Sequence, residues 1–96
     1  MRRALAAAIG VASIAAAVVA SAEPPAGAAA CSGCHPASTR VTSPVPRLVG
    51  LDRAAIVRSM QDFRSGQRAA TVMDRIAKGF TDEEIQAIAA WYATQK

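Results

Sequence analysis

Cys31-Ser32-Gly33-Cys34-His35 is the stretch of this chain whose residue types and spacing can do chemistry. Two thiols three positions apart on a helical turn can add to the two vinyl groups of one porphyrin, and the adjacent imidazole is then held beneath the iron. A bare C-x-x-C is shared by zinc sites, redox dithiols and haem attachment. His directly after the second Cys selects haem, and the competing reading is a local disulfide with an incidental His.

What such a haem does depends on the sixth iron ligand. His alone leaves a position open for small molecules or peroxidase-like chemistry, whereas His plus Met closes the iron and favours electron transfer. A thioether suits soft, redox-active iron and favours its ferrous state, raising the potential. Apart from the initiator, the methionines are Met60 and Met73. Met60 has a complete explanation as a core residue, because Ile56, Met60 and Phe63 form one apolar stripe at i, i+4 and i+7. Met73 follows a Gly-containing loop that can carry it across the far haem face, and is the favoured ligand.

The elements that must position these residues read as all-α, with no stretch of strand alternation. A short helix starts near Gly27, runs through Ala28-Ala29-Ala30 and ends at His35, because Pro36 cannot continue it. Pro36 to Gly50 is a loop rich in Pro, Ser, Thr and Val, of a length acceptable in a compact domain only if it wraps a ligand. Within it, the Pro46 carbonyl could accept the Nδ1 proton of His35 and fix the imidazole as an Nε2 ligand. Equally, Pro46 could merely shape a turn. Asp52 is suited to cap a helix running to about Ser65, with Gly66 as its left-handed terminus. Gly66 to Ala70 is a second loop. Thr71 is expected to cap a short helix, Val72 to Lys78, stopped by Gly79. Thr81 and Glu84 form a capping box for the last helix, which runs to about Thr94 and buries Ile85, Ile88, Ala89 and Tyr92.

Residues 1–22 read as an export signal. Arg2 and Arg3 precede an uncharged Ala/Val/Ile stretch, Ala4 to Val19, and Ala20-Ser21-Ala22 supplies a cleavage site, so that residues 23–96 form the haem domain. An uncleaved membrane anchor is the alternative, weakened by the many alanines. The whole chain has 96 residues and a formal charge of +4. Two of those charges belong to the leader, and two haem propionates would bring the remainder near zero. Nothing in that balance supports nucleic-acid binding. A domain this small seldom gains more than about 3–5 kcal/mol from its core and usually needs a staple. With only two cysteines a disulfide framework is excluded. A covalently held haem would supply the apolar bulk, and export to an oxidising compartment would suit thiols consumed in thioethers.

These segments together resemble a class I cytochrome c. The resemblance is carried by Cys31 to His35, by Pro46-Arg47-Leu48-Val49-Gly50, by Thr71-Val72-Met73 and by an aromatic in the last helix. More narrowly, Met60 to Gly66 (MQDFRSG) and Thr71 to Phe80 (TVMDRIAKGF) are similar to the haem subunit of flavocytochrome c sulfide dehydrogenase. The class resemblance implies a fold of three to four helices around one haem attached at Cys31 and Cys34. It also implies axial ligands His35 and Met73, a Pro46 carbonyl near His35, and Trp91 as the aromatic packing the last helix on the first. The chain departs from the class in its brief lead-in to C-x-x-C-H and in Pro36, where Gly is common. The narrower resemblance implies a flavin-bearing partner that oxidises sulfide and passes electrons to this haem, the cytochrome being non-catalytic. A free periplasmic monohaem carrier is the runner-up, and an open-site haem enzyme or sensor stands behind it. Eight cations from Arg40 to Lys78 could steer an acidic partner. An ordinary solvated surface, with i,i+4 pairs such as Asp74 with Lys78, is the favoured account of them.

Overall fold

A computed structural model of the chain describes residues 7–15 and 23–96. Residues 7–15 carry no regular secondary structure. The rest of the segment expected to be an export signal, with the expected cleavage site at Ala20-Ser21-Ala22, lies outside the described residues. Among the described residues no helix is long and apolar enough to cross a membrane.

Four helices and no strand make up the described domain: α1 (Ala28–Cys31), α2 (Arg53–Ser65), α3 (Met73–Ala77) and α4 (Asp82–Thr94). α2 packs against α3 and α4, and α1 against α4. The lead-in α1 starts from Gly27 in the left-handed region at φ 87°, with the Ala28 N–H donating to Pro25 O at 3.0 Å. Helical turns continue beyond its formal end, and the His35 N–H donates to Cys31 O at 2.9 Å. The backbone therefore coils as far as His35 before Pro36 stops it, as the sequence predicts.

The longer helices follow their caps. Asp52 Oδ2 accepts from the Ala55 N–H, and α2 ends on left-handed Gly66 at φ 80°. At the start of α4 the Glu84 N–H donates to Thr81 Oγ1 and the Thr81 N–H donates to Glu84 Oε1, both at 3.2 Å. The expectation for α3 is corrected. Its N-cap is Val72, with no side-chain cap, and Lys78 already lies beyond its last turn. Val72 O accepts from both Arg75 N–H and Ile76 N–H, while Thr71 lines the central cavity instead of capping.

Ala28, Ile56, Val57, Ile85, Ile88, Ala89 and Tyr92 form the buried core. All four residues expected of α4 are in it. α2 differs from expectation, because Val57 joins Ile56 in the core while Met60 and Phe63 are only half-buried and line the cavity. Two apolar faces on α2 thus serve two purposes, one closing on α4 and one forming a cavity wall. The expected Asp74–Lys78 pair is absent; the one ion pair among the described residues is Arg64 Nη1 with Asp82 Oδ1 at 2.7 Å, tying α2 to α4.

The aromatic that joins the last helix to the first is Tyr92, not Trp91. Its buried hydroxyl donates to Ala28 O at 2.6 Å. Tyr92 lies four and seven residues beyond Ile88 and Ile85, on the buried face of α4, whereas Trp91 is one position round the helix. Trp91 stands edge-on to the Tyr92 ring, with centroids 4.8 Å apart.

Candidate haem site

α1 delivers the thiols from its last turn. Cys31 is half-buried and its Sγ lies 3.5 Å from Gly27 O, one turn back, while Cys34 is exposed. Neither is in a disulfide, and among the described residues no group of three His, Cys, Asp or Glu could hold a metal ion. Burial pushes the Cys31 thiol above its ordinary pKa. A redox dithiol needs the opposite, a thiol stabilised as thiolate.

His35 is positioned by two segments. Its backbone closes the turn after α1, and its Nδ1 meets Pro46 O at 2.5 Å across the loop. A carbonyl can only accept, so Nδ1 carries the proton and Nε2 keeps its lone pair. That leaves Nε2 as the ring atom able to ligate a metal. The loop that brings Pro46 here is itself pinned. Arg47 Nε donates to Ala37 O at 2.9 Å, and the Gly50 N–H donates to Tyr92 O at 3.0 Å. Of the two roles the sequence leaves open for Pro46, the structure gives it the one facing His35.

Between α1, the 36–50 loop, α2, α3 and the start of α4 lies a cavity of about 710 Å³. Cys31, Cys34, His35, Pro46 and Met73 all line it. Its walls are otherwise mainly apolar, with Leu48, Ile56, Phe63, Phe80 and Ile88 among them. Such volume and lining suit a large, flat apolar ring, and most ligand cavities fall in this size range. An oriented imidazole and a thioether are an axial pair that porphyrin iron takes, and two thiols at this spacing can bond the ring's vinyl groups. Met60 lines the same cavity. Its helical stripe is legible in the sequence, but a stripe does not say whether it faces protein or a cofactor.

No protein-family model matches the chain. Individual relatives do. The chain is 40% identical over 62 residues to the cytochrome subunit of sulfide dehydrogenase from Chlorobaculum tepidum, covering 65% of this chain and 56% of that protein. It is 40% identical over 65 residues to a thiosulfate dehydrogenase electron acceptor from Stutzerimonas stutzeri, covering 66% of this chain and 30% of that protein. With cytochrome c-554(548) of Halomonas halodenitrificans it shares 34% identity over 70 residues, covering 69% of this chain and 84% of that protein. The chain thus spans about half or less of the length of the first two. An all-helical domain around a cavity presenting C-x-x-C-H defines a class I cytochrome c. By its relatives the chain belongs to the cytochrome c family, whose members carry covalently attached haem c and transfer electrons.

Proposed function

We propose that this chain is an exported cytochrome that moves single electrons through a closed His/Met haem, accepting them from a flavoprotein that oxidises sulfide. The observation that carries the closed site is the convergence on one cavity of His35, its Nδ1 committed to Pro46, and of Met73 from a separate segment. Bound haem c supplies a reversible one-electron couple at iron. The chain's residues do the rest. Cys31 and Cys34 would hold the ring covalently, His35 would offer Nε2 to its iron, and Met73 would offer its thioether from the first turn of α3. The apolar walls exclude water and disfavour the more charged ferric state. Leu48 and Phe80 pack on the core and line the cavity, where they would support the ring.

Met73 is assigned over Met60 because it stands at the junction of a loop and a short helix, free to approach iron. Met60 is fixed in the eighth position of a long helix. The two assignments separate cleanly. Met73→Ala is expected to abolish the sulfur-to-iron charge-transfer band of the ferric protein and lower its potential. Met60→Ala should leave the band in place and cost about 2 kcal/mol of stability, the low end for truncating a methionine. The reverse result moves the ligand to Met60.

The sulfide-oxidising partner is supported by similarity to the Chlorobaculum tepidum subunit and by the MQDFRSG and TVMDRIAKGF segments. A free periplasmic carrier is the second reading, favoured by the match over 84% of a small cytochrome c-554(548). Export rests on the leader at residues 1–22, with residues 23–96 as the haem domain.

A further inference from the structure

Haem c brings two carboxylates into a cavity whose walls are mainly apolar. A carboxylate in such surroundings must reach water or meet a cation. Apart from the two cysteines, the lining holds two ionisable side chains, His35 and Arg68. His35 is committed to Pro46 and, in the proposed site, to iron. Arg68 has no carboxylate partner among the described residues.

Arg68 is nevertheless held in place. Its Nη1 donates to Ser59 Oγ at 3.2 Å, and its guanidinium carbon stands 4.8 Å from the centroid of the Phe63 ring. Its backbone N–H donates to Asp62 O at 3.1 Å, folding the loop after Gly66 back on α2. Ser59 and Phe63 also line the cavity. A hydroxyl and an aromatic face therefore brace an exposed guanidinium at the cavity rim, with donors left over. A long cationic side chain on a solvated surface is seldom fixed at two points, because ordering it costs entropy. The planar fork matches a carboxylate in two parallel hydrogen bonds.

We propose that Arg68, braced by Ser59 and Phe63, is the residue that binds and holds ionised one haem propionate. The proposal rests on the haem occupying this cavity. Held so, the propionate stays charged to lower pH than a free carboxyl, and its negative charge near iron is partly neutralised.

The test uses the haem-loaded protein as wild type, Arg68→Gln and Arg68→Lys, with the midpoint potential followed from acid to alkaline pH. Wild type is expected to show an acidic inflection, where the propionate titrates. In Arg68→Gln that inflection should move up by about one pH unit, the low end for losing a neighbouring opposite charge at a solvated rim. Arg68→Lys keeps the charge and should restore most of the difference, but cannot fork, so the propionate bending modes in its resonance Raman spectrum should shift from wild type. That second comparison stands alone if the glutamine variant does not mature. Potential curves and Raman spectra superimposable on wild type would overturn the assignment. Haem content by mass and the low-spin spectrum distinguish this from failure of the haem site itself: if wild type carries no covalent haem, the parent reading is lost, not the role of Arg68 alone.

Discussion

At Tyr92 one hydroxyl joins the two ends of the domain, and burial raises its pKa above the ordinary 10.0. A raised pKa in the folded state means that stability is present in full below pH 10 and is lost as pH rises through the shifted value. Urea unfolding followed from pH 8 to 11 should therefore show falling stability at the alkaline end. Tyr92→Phe should flatten that fall, and should lower stability near neutrality by about 1–3 kcal/mol by leaving Ala28 O buried without its donor. Residues of this kind mark the limit of sequence reading. Cys31, Cys34 and His35 are legible because the chemistry fixes their spacing. Tyr92 is legible as buried but not as a donor, since its partner lies 64 residues away. Pro46 stays open for the same reason: a carbonyl has no signature in the residue that bears it.

Local rules make the helices legible where caps mark their ends. Asp52 and Gly66 locate both ends of α2, and Thr81 with Glu84 locates the start of α4. α3 has no capping side chain, and its ends are set by Val72 O and the cavity wall, so its limits differ from expectation by a residue at each end. α1 depends on Gly27. A Cβ there would stand 2.5 Å from Phe80 Cε1, on a backbone at φ +87°. Gly27→Ala is thus expected to destabilise by about 2–4 kcal/mol, combining left-handed strain with overpacking, as measured by thermal or urea unfolding. Thr81→Ala, which removes a single cap at an exposed helix end, should cost about 1 kcal/mol. The contrast between the two variants tests whether α1 is held mainly by packing. The path of the 36–50 loop is not legible in its composition, because contacts to Ala37 O, His35 and Tyr92 O set it.

Seen whole, the domain is a thin helical shell beside a cavity. Among the described residues eight hydrophobic side chains are buried, the seven of the core and Ala77, and three of the eight are alanine. Haem therefore acts as core as well as cofactor, and a Cys31→Ala/Cys34→Ala protein lacking haem should unfold without a cooperative transition, as followed by circular dichroism. A shell this small buries little, so its interactions with partners are made at its surface. If the chain serves a sulfide-oxidising flavoprotein, a tagged haem-loaded chain should co-purify with a flavin-containing protein from its own cells, whereas a free carrier elutes alone. The claim on which these readings converge is that the iron is closed by His35 and Met73. The most direct measurement is carbon monoxide binding to the ferrous protein at neutral pH. Wild type should bind none on the timescale of seconds, and Met73→Ala should bind readily. Ready binding by wild type, or a Met73→Ala protein whose spectrum and carbon monoxide response are unchanged, would contradict the closed His/Met site.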